Sequence, residues 1–217
     1  CNRVALIIQP VIMKNKLVLL IYLTIINLHT FSVARAGDYH LLPQPQKFTP
    51  LSHNFQVNKL QLSTPVLQQE WEAFVSEMGG TVSQKATGII DVKLLPSLPG
   101  VPSLPGVPMN QEEAYRLHIT AKRITIEAVT ERGVYWAMQT LRQLAEKRNS
   151  KTRIQGAEII DWPAFRVRGF MQDVGRSYIS LEELKREIAI LAKFKINVFH
   201  WHLTENQSWR LESKVFP

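Results

Sequence analysis

Two periods of apolar residues run along this chain, and each marks a different kind of element. In "FQVNKLQL" (55–62) and "GIIDVKLL" (88–95) apolar residues fill brief runs bounded by polar or glycine positions, which predicts strands. "YRLHITAKRITIEA" (115–128) alternates twice about a polar turn, with Leu117, Ile119, Ile124 and Ile126 on alternating positions, and predicts a hairpin. In "LQQEWEAFVSEM" the residues Leu67, Trp71, Phe74, Val75 and Met78 fall instead at helical spacing, and the run stops at Gly79-Gly80. A second helix is predicted over "GVYWAMQTLRQLAEKR" (133–148). Val134, Ala137, Leu141 and Leu144 form the face that should cover the sheet, with Lys147 and Arg148 in its last turn. Short strands interleaved with two helices make residues 37–160 read as an α+β domain.

After Trp162-Pro163 the order becomes strand, helix, strand: "RVRGFMQDVG", then "SLEELKREIAILAKFK", then "INVFHWHLTE". The helix opens with a capping box, Ser180 as N-cap and Glu183 three residues on. Leu181, Leu184, Ile188 and Leu191 form the stripe expected to be buried. A strand, a helical crossover and a second, more apolar strand make the βαβ unit of a parallel sheet or barrel. Two parallel strands hold too little core to stand alone, so residues 161–217 read as the incomplete start of a second domain.

Two stretches depart from this grammar. "PSLPGVPSLPGVP" (96–108) repeats six residues in tandem, and its prolines and glycines exclude helix and inner strand. It is expected as an expanded surface loop, with no basic residues around it to favour a Pro-rich docking segment. At the other stretch, "MKNKLVLLIYLTIINLHTFSVARA" (13–36), Lys14 and Lys16 precede an apolar core from Leu17 to Leu28, and the run ends in Ala34-Arg35-Ala36. That is the make-up of a signal peptide with an A-x-A cleavage site, so the mature chain is expected to start near Gly37 and to be secreted or periplasmic. The apolar core has about 12 residues against the roughly 20 a membrane span requires, so no span is expected after cleavage. Residues 1–12 precede Met13 and read as upstream translation.

Composition narrows the chemistry. The only cysteine, Cys1, lies in that upstream stretch, which leaves the mature chain without a disulfide or a Cys-ligated metal. The net charge is +8, but Arg3, Lys14, Lys16 and Arg35 lie in the first 36 residues with no acid among them, so the remainder carries +4. No cluster of Lys and Arg with interleaved aromatics appears, and no nucleic-acid partner is expected.

The polar groups that remain gather at the ends of the last two strands. Asp173 and Arg176 follow the first; His200, His202, Glu205, Asn206 and Trp209 lie at or after the end of the second. In (β/α) barrels the C-terminal strand ends carry the functional groups. His200 and His202 alternate onto one face and are open to three uses: metal ligands with a nearby carboxylate, contacts to a sugar, or hydrogen-bonded supports beneath a site. Arg176 offers a rigid fork suited to vicinal hydroxyls, or equally a salt bridge to Asp173 or Glu205. Trp209 is open to stacking on a sugar face or to a place in the core.

Taken together, "RVRGFMQDVGRSY" and "NVFHWHLTENQSWRLESKVFP" resemble the start of the catalytic barrel of glycoside hydrolase family 20, the β-N-acetylhexosaminidases. "LLPQPQKF", "EAYRLHIT" and "GVYWAMQTLRQL" resemble the small domain that precedes that barrel. The resemblance implies an α+β N-terminal domain followed by the first βαβ unit of a truncated (β/α)8 TIM barrel. It implies removal of terminal N-acetylglucosamine or N-acetylgalactosamine from glycans or chitooligosaccharides, with retention and with the substrate's acetamido oxygen as nucleophile. An Asp-Glu pair serves that step in the family, no cofactor or metal is needed, and no Asp-Glu dipeptide occurs in this chain. The resemblance makes Arg176 the arginine that binds the sugar hydroxyls at carbons 3 and 4, and Glu205 part of the same subsite. His202, His200, Asp173 and Trp209 would support it. Glu205-Asn206 departs from the family's Asp-Asp, which leaves a non-catalytic carbohydrate-binding protein on the same scaffold as the alternative.

Overall fold

Alternation decides which face of the sheet is wet. The computed structural model describes residues 41–102, 109–149 and 151–215, and the predicted signal segment and most of the second proline repeat lie outside them. The elements in chain order are β1 (Lys47–Val57), β2 (Lys59–Ser63), α1 (Gln68–Glu77), β3 (Thr81–Val82), β4 (Gly88–Leu94), α2 (Met109–Glu112), β5 (Tyr115–Ile119) and β6 (Arg123–Ala128). They continue with α3 (Glu131–Leu144), β7 (Ala145–Arg148), β8 (Lys151–Asp161), β9 (Gly169–Asp173), α4 (Leu181–Lys193), β10 (Val198–His202), β11 (Thr204–Glu205) and β12 (Ser208–Trp209). The large sheet runs β1-β8-β5-β6-β4-β2-β3, with β7 pairing β8. Tyr115, Leu117 and Ile119 on β5 and Ile124 and Ile126 on β6 are buried, and α3 packs over these strands. The intervening residues turn to the other face and pair across strands, as Arg116 does with Glu127 at 2.9 Å and Arg123 with Asp91 at 3.0 Å.

Several elements differ from the sequence expectation, each for a physical reason. The single strand expected over 55–62 is two strands: β1 pairs antiparallel with β8, whereas β2 pairs parallel with β4 further across the sheet. The helix expected to reach Arg148 stops at Leu144, and Ala145–Arg148 form β7. Pairing with Lys151–Ile154 overrides the helix propensity of "AEKR", and Lys147 and Arg148 are therefore not in a helical last turn. The first copy of the proline repeat is not a free surface loop. Leu98 and Val101 are buried against Ala114, Ile160 and Trp162, the Gln111 amide bonds Leu98 N and Val101 O at 3.1 Å each, and Arg116 donates to Pro99 O at 2.7 Å.

The βαβ unit forms as expected, with β9 and β10 parallel in the register Gly169↔Val198 to Asp173↔His202. Ser180 caps α4, its hydroxyl accepting from Glu183 N while Glu183 reaches back to Ser180 N. Of the predicted stripe only Leu184 is buried; Leu181 and Ile188 are exposed and Leu191 is half-buried. Two strands are too narrow to cover that face of the helix.

Helix α3 is buried on more than the one predicted face because it lies between the sheet and α4. Its approach to the sheet requires Gly133: a Cβ there would overlap the Ala114 carbonyl oxygen, a backbone atom with no freedom to move aside. Two turns further along the helix, at Thr140, a buried polar cluster ties the βαβ unit to the sheet. Lys195 Nζ lies 2.6 Å from Asp161 Oδ2 and 2.9 Å from the Tyr115 hydroxyl, which is itself 2.6 Å from Thr140 Oγ1. Burial holds the Lys195 ammonium below the ordinary lysine range, with Asp161 opposing the shift, and burial together with the Asp161 charge pushes the Tyr115 phenol well above its usual value.

Candidate functional site

The parallel register of β9 and β10 brings Asp173 level with His202 at the C-terminal ends of the two strands. Asp173 organises the turn after β9 with its own carboxylate, whose Oδ1 accepts from Gly175 N at 2.8 Å and from Arg176 N at 3.1 Å. The other carboxylate oxygen lies 3.2 Å from Arg176 Nε. Arg176 then reaches across to the other strand's loop, placing Nη2 3.1 Å from Glu205 Oε1. Glu205 is carried on a short hairpin in which Thr204 pairs with Trp209 and Glu205 with Ser208, around Asn206-Gln207. Arg210 pins that hairpin to the β9 turn by donating Nε to Val174 O at 2.9 Å, with its guanidinium over the Tyr178 ring.

Arg176 is thus held by Asp173 and Glu205 at once, yet its side chain remains 66% exposed. His202 sits beside Asp173 and adds to the charges that favour its carboxylate, while His200 stacks on His202 at 6.0 Å between ring centres and is exposed. Trp209 is exposed rather than core. No group of three or more His, Cys, Asp or Glu side chains is placed to hold a metal ion among the described residues. Sequence reasoning missed Gly175, where a Cβ would lie 2.9 Å from Glu205 Cβ and 3.2 Å from Asp173 Oδ1. The lone glycine between Asp173 and Arg176 was the available signal, since a small residue between two functional ones marks a close approach.

Hydrogen bonds from the Arg176 and Gly175 amides hold the Asp173 carboxyl below the ordinary aspartate range, with smaller contributions from the His202 and Arg176 charges. A depressed folded-state value means that the turn's contribution to stability is complete above the unfolded value of about 3.9 and disappears as pH falls through the lower folded one. The Gly175 and Arg176 amide resonances should therefore keep their positions down to about pH 4 and move only below it. A midpoint at or above that value would mean that Asp173 does not organise the turn.

The same residues answer to known proteins. Residues 38–162 match the family model described as glycosyl hydrolase family 20, domain 2, and residues 165–217 match that of the family 20 catalytic domain. The chain belongs to glycoside hydrolase family 20. Among its relatives, the beta-hexosaminidase of Porphyromonas gingivalis is 46% identical over 114 residues, which cover 49% of this chain and 15% of the relative. The chitooligosaccharidolytic beta-N-acetylglucosaminidase of Bombyx mori is 29% identical over 204 residues, 83% of this chain and 34% of that protein. The GH20 exo beta-N-acetylglucosaminidase from Vibrio harveyi, solved in complex with N-acetylglucosamine, shares 30% identity at a TM-score of 0.66, over 82% of this chain and 27% of that one. The chain thus spans between 15% and 34% of the length of these relatives. The two family 20 modules meet where β8 ends, beside the buried Asp161.

Proposed function

We propose that the protein containing these residues is an exo-β-N-acetylhexosaminidase, acting on glycans or chitooligosaccharides with terminal N-acetylglucosamine or N-acetylgalactosamine. In this reading the βαβ unit is the first of a (β/α)8 barrel, and Arg176 and Glu205 form one wall of the sugar subsite at its mouth. The observation that carries it is the Arg176 fork, oriented by two carboxylates while still open to solvent. Exposed ion pairs contribute about 0–1 kcal/mol to stability, so this arrangement is not accounted for by what it adds to folding. A planar guanidinium fixed at a strand end is what recognition of two adjacent sugar hydroxyls requires.

The reaction follows the resemblance: the acetamido oxygen attacks the anomeric carbon, and a carboxylic acid protonates the leaving oxygen. With no adjacent Asp-Glu pair in these residues, that chemistry is assigned outside them. The complete protein should hydrolyse 4-nitrophenyl N-acetyl-β-glucosaminide or galactosaminide with the β-anomer released first by NMR, whereas residues 37–217 alone should release no nitrophenol. A folded complete protein that cleaves neither glycoside would make it a non-catalytic sugar-binding protein. Turnover by residues 37–217 would return the catalytic groups to this chain.

A further inference from the structure

At the opposite end of the two barrel strands from Arg176, one carboxylate of the α+β domain gathers both strand roots. Glu113, between α2 and β5, is 3% exposed. Its Oε2 accepts from the Trp136 indole at 3.0 Å and from the Arg168 guanidinium, and its Oε1 accepts from Asn197 Nδ2 at 3.0 Å. Arg168 is the residue before β9, and Asn197 is the residue before β10. The two are also locked to each other: Asn197 Oδ1 accepts from Arg168 N at 2.9 Å, and Arg168 O accepts from Asn197 N at 3.0 Å. Arg168 Nε further holds Lys195 O at 2.7 Å, and Lys195 occupies the left-handed region at φ 59 where α4 turns into β10.

We infer that Glu113 is a positioning residue, which fixes the relative register of β9 and β10 and through it the Arg176–Glu205 pair at their far ends. The path is covalent and hydrogen-bonded throughout. Arg168 and Asn197 set Gly169 against Val198, five ladder pairs carry that register to Asp173 and His202, and Asp173 orients the Arg176 turn while His202 O accepts from Val174 N at 3.0 Å. Five residues at about 3.3 Å each put roughly 16 Å between the anchor and the site. A single-residue slip would turn every side chain to the other face, so the register is a discrete setting that an anchor at one end can hold. Calling the far end a sugar subsite rests on the function proposed above, but the positioning itself does not.

Glu113→Gln keeps the shape, removes the charge and turns an amide NH2 toward groups that are all donors. In the intact chain, amide hydrogen exchange at Gly175 and Arg176 should quicken at least tenfold, with β5, β6 and β8 unchanged. Unchanged exchange at Gly175 and Arg176, or an equal rise through the large sheet, would overturn the inference. If Glu113→Gln does not fold, Asn197→Ser removes the Glu113 arm to β10 together with the acceptor for Arg168 N, and should quicken exchange at Gly175, Arg176 and Glu205 with β5, β6 and β8 unchanged; exchange equal to wild type at those three residues would count against the anchor. In the complete protein the same substitution should raise KM for the nitrophenyl glycoside at least tenfold with less effect on kcat. A wild-type protein without hydrolase activity would sink the functional reading and leave the exchange result to decide the positioning.

Discussion

Replacing Asp161 by asparagine is expected to lower folding stability by about 3–5 kcal/mol, the range for removing one partner of a buried ion pair. The side chains of Lys195 and Asp161 are only 8% and 9% exposed, and Asp161 Oδ2 faces both Lys195 Nζ and the Tyr115 hydroxyl. Asparagine retains the size of the side chain and an oxygen for the Gln46 and Trp162 amides, which Asp161 Oδ1 serves at 3.2 and 3.0 Å. Its NH2 would then face the ammonium, donor against donor. The loss has a ceiling, because Lys195 can shed its proton instead. Neutralising a lysine of ordinary value near 10.4 costs about 4.6 kcal/mol at pH 7, at 1.36 kcal/mol per unit.

This ceiling gives the variant a signature in pH. Burial already lowers the Lys195 value and Asp161 opposes that, so removing Asp161 lowers it further. Between the lowered folded value and the ordinary unfolded one, the unfolded chain binds the extra proton, and stability rises with pH by up to about 1.4 kcal/mol per unit. Urea denaturation at pH 7 and pH 9 should show the variant's deficit relative to wild type shrinking, by no more than about 2.7 kcal/mol over the two units, because burial lowers Lys195 in the wild type as well. A loss under 1 kcal/mol, or a deficit equal at both values, would mean that the pair is not the fastening between sheet and βαβ unit.

Where the fold was legible, the signal was local. Leu117, Ile119, Ile124 and Ile126 alternate about one turn, and the hairpin they predict is β5 and β6, all four side chains fully buried. Ser180 and Glu183 announced the start of α4 for the same reason, since a capping box closes within four residues. Strand β8 has no such mark, although it pairs with β1, β5 and β7. Its buried residues alternate through Thr152, Ile154 and Gly156, then resume one place out of phase at Ala157, Ile159 and Asp161, so no single period spans it. The register of β1 against β8 is irregular at the same point, between Pro50 and Asn54.

The candidate site divides in the same way. Asp173 and Arg176 stand out as polar residues just past an apolar strand, and a parallel partner was enough to bring Glu205 near them. Their anchors were out of reach: Glu113 is 55 residues from Arg168 and 84 from Asn197, and nothing in either local pattern marks a buried partner. Arg168 in "RVRGF" reads as one more surface cation until the sheet places a carboxylate beneath it.

Arg176→Ala in the complete protein should lower kcat/KM for an N-acetyl-β-glucosaminide by about 2–3 kcal/mol, roughly 30- to 150-fold, the scale of charged hydrogen bonds lost from a binding site. Stability should scarcely change, because the pairs to Asp173 and Glu205 lie at an exposed side chain and such pairs add about 0–1 kcal/mol. This contrast separates recognition from structure: a fastening residue such as Asp161 lowers the melting temperature, whereas a sugar-binding one leaves it in place and raises KM. Glu205→Asp supplies the finer test, since shortening the side chain withdraws the carboxylate by about 1 Å from Arg176 Nη2, enough to disturb a positioned contact. If Glu205 orients the fork, Glu205→Asp should fall between wild type and Arg176→Ala in kcat/KM, and the double variant should be no worse than Arg176→Ala alone. Independent, additive losses would detach Glu205 from the arginine, and an unchanged kcat/KM in Arg176→Ala would remove that residue from the site.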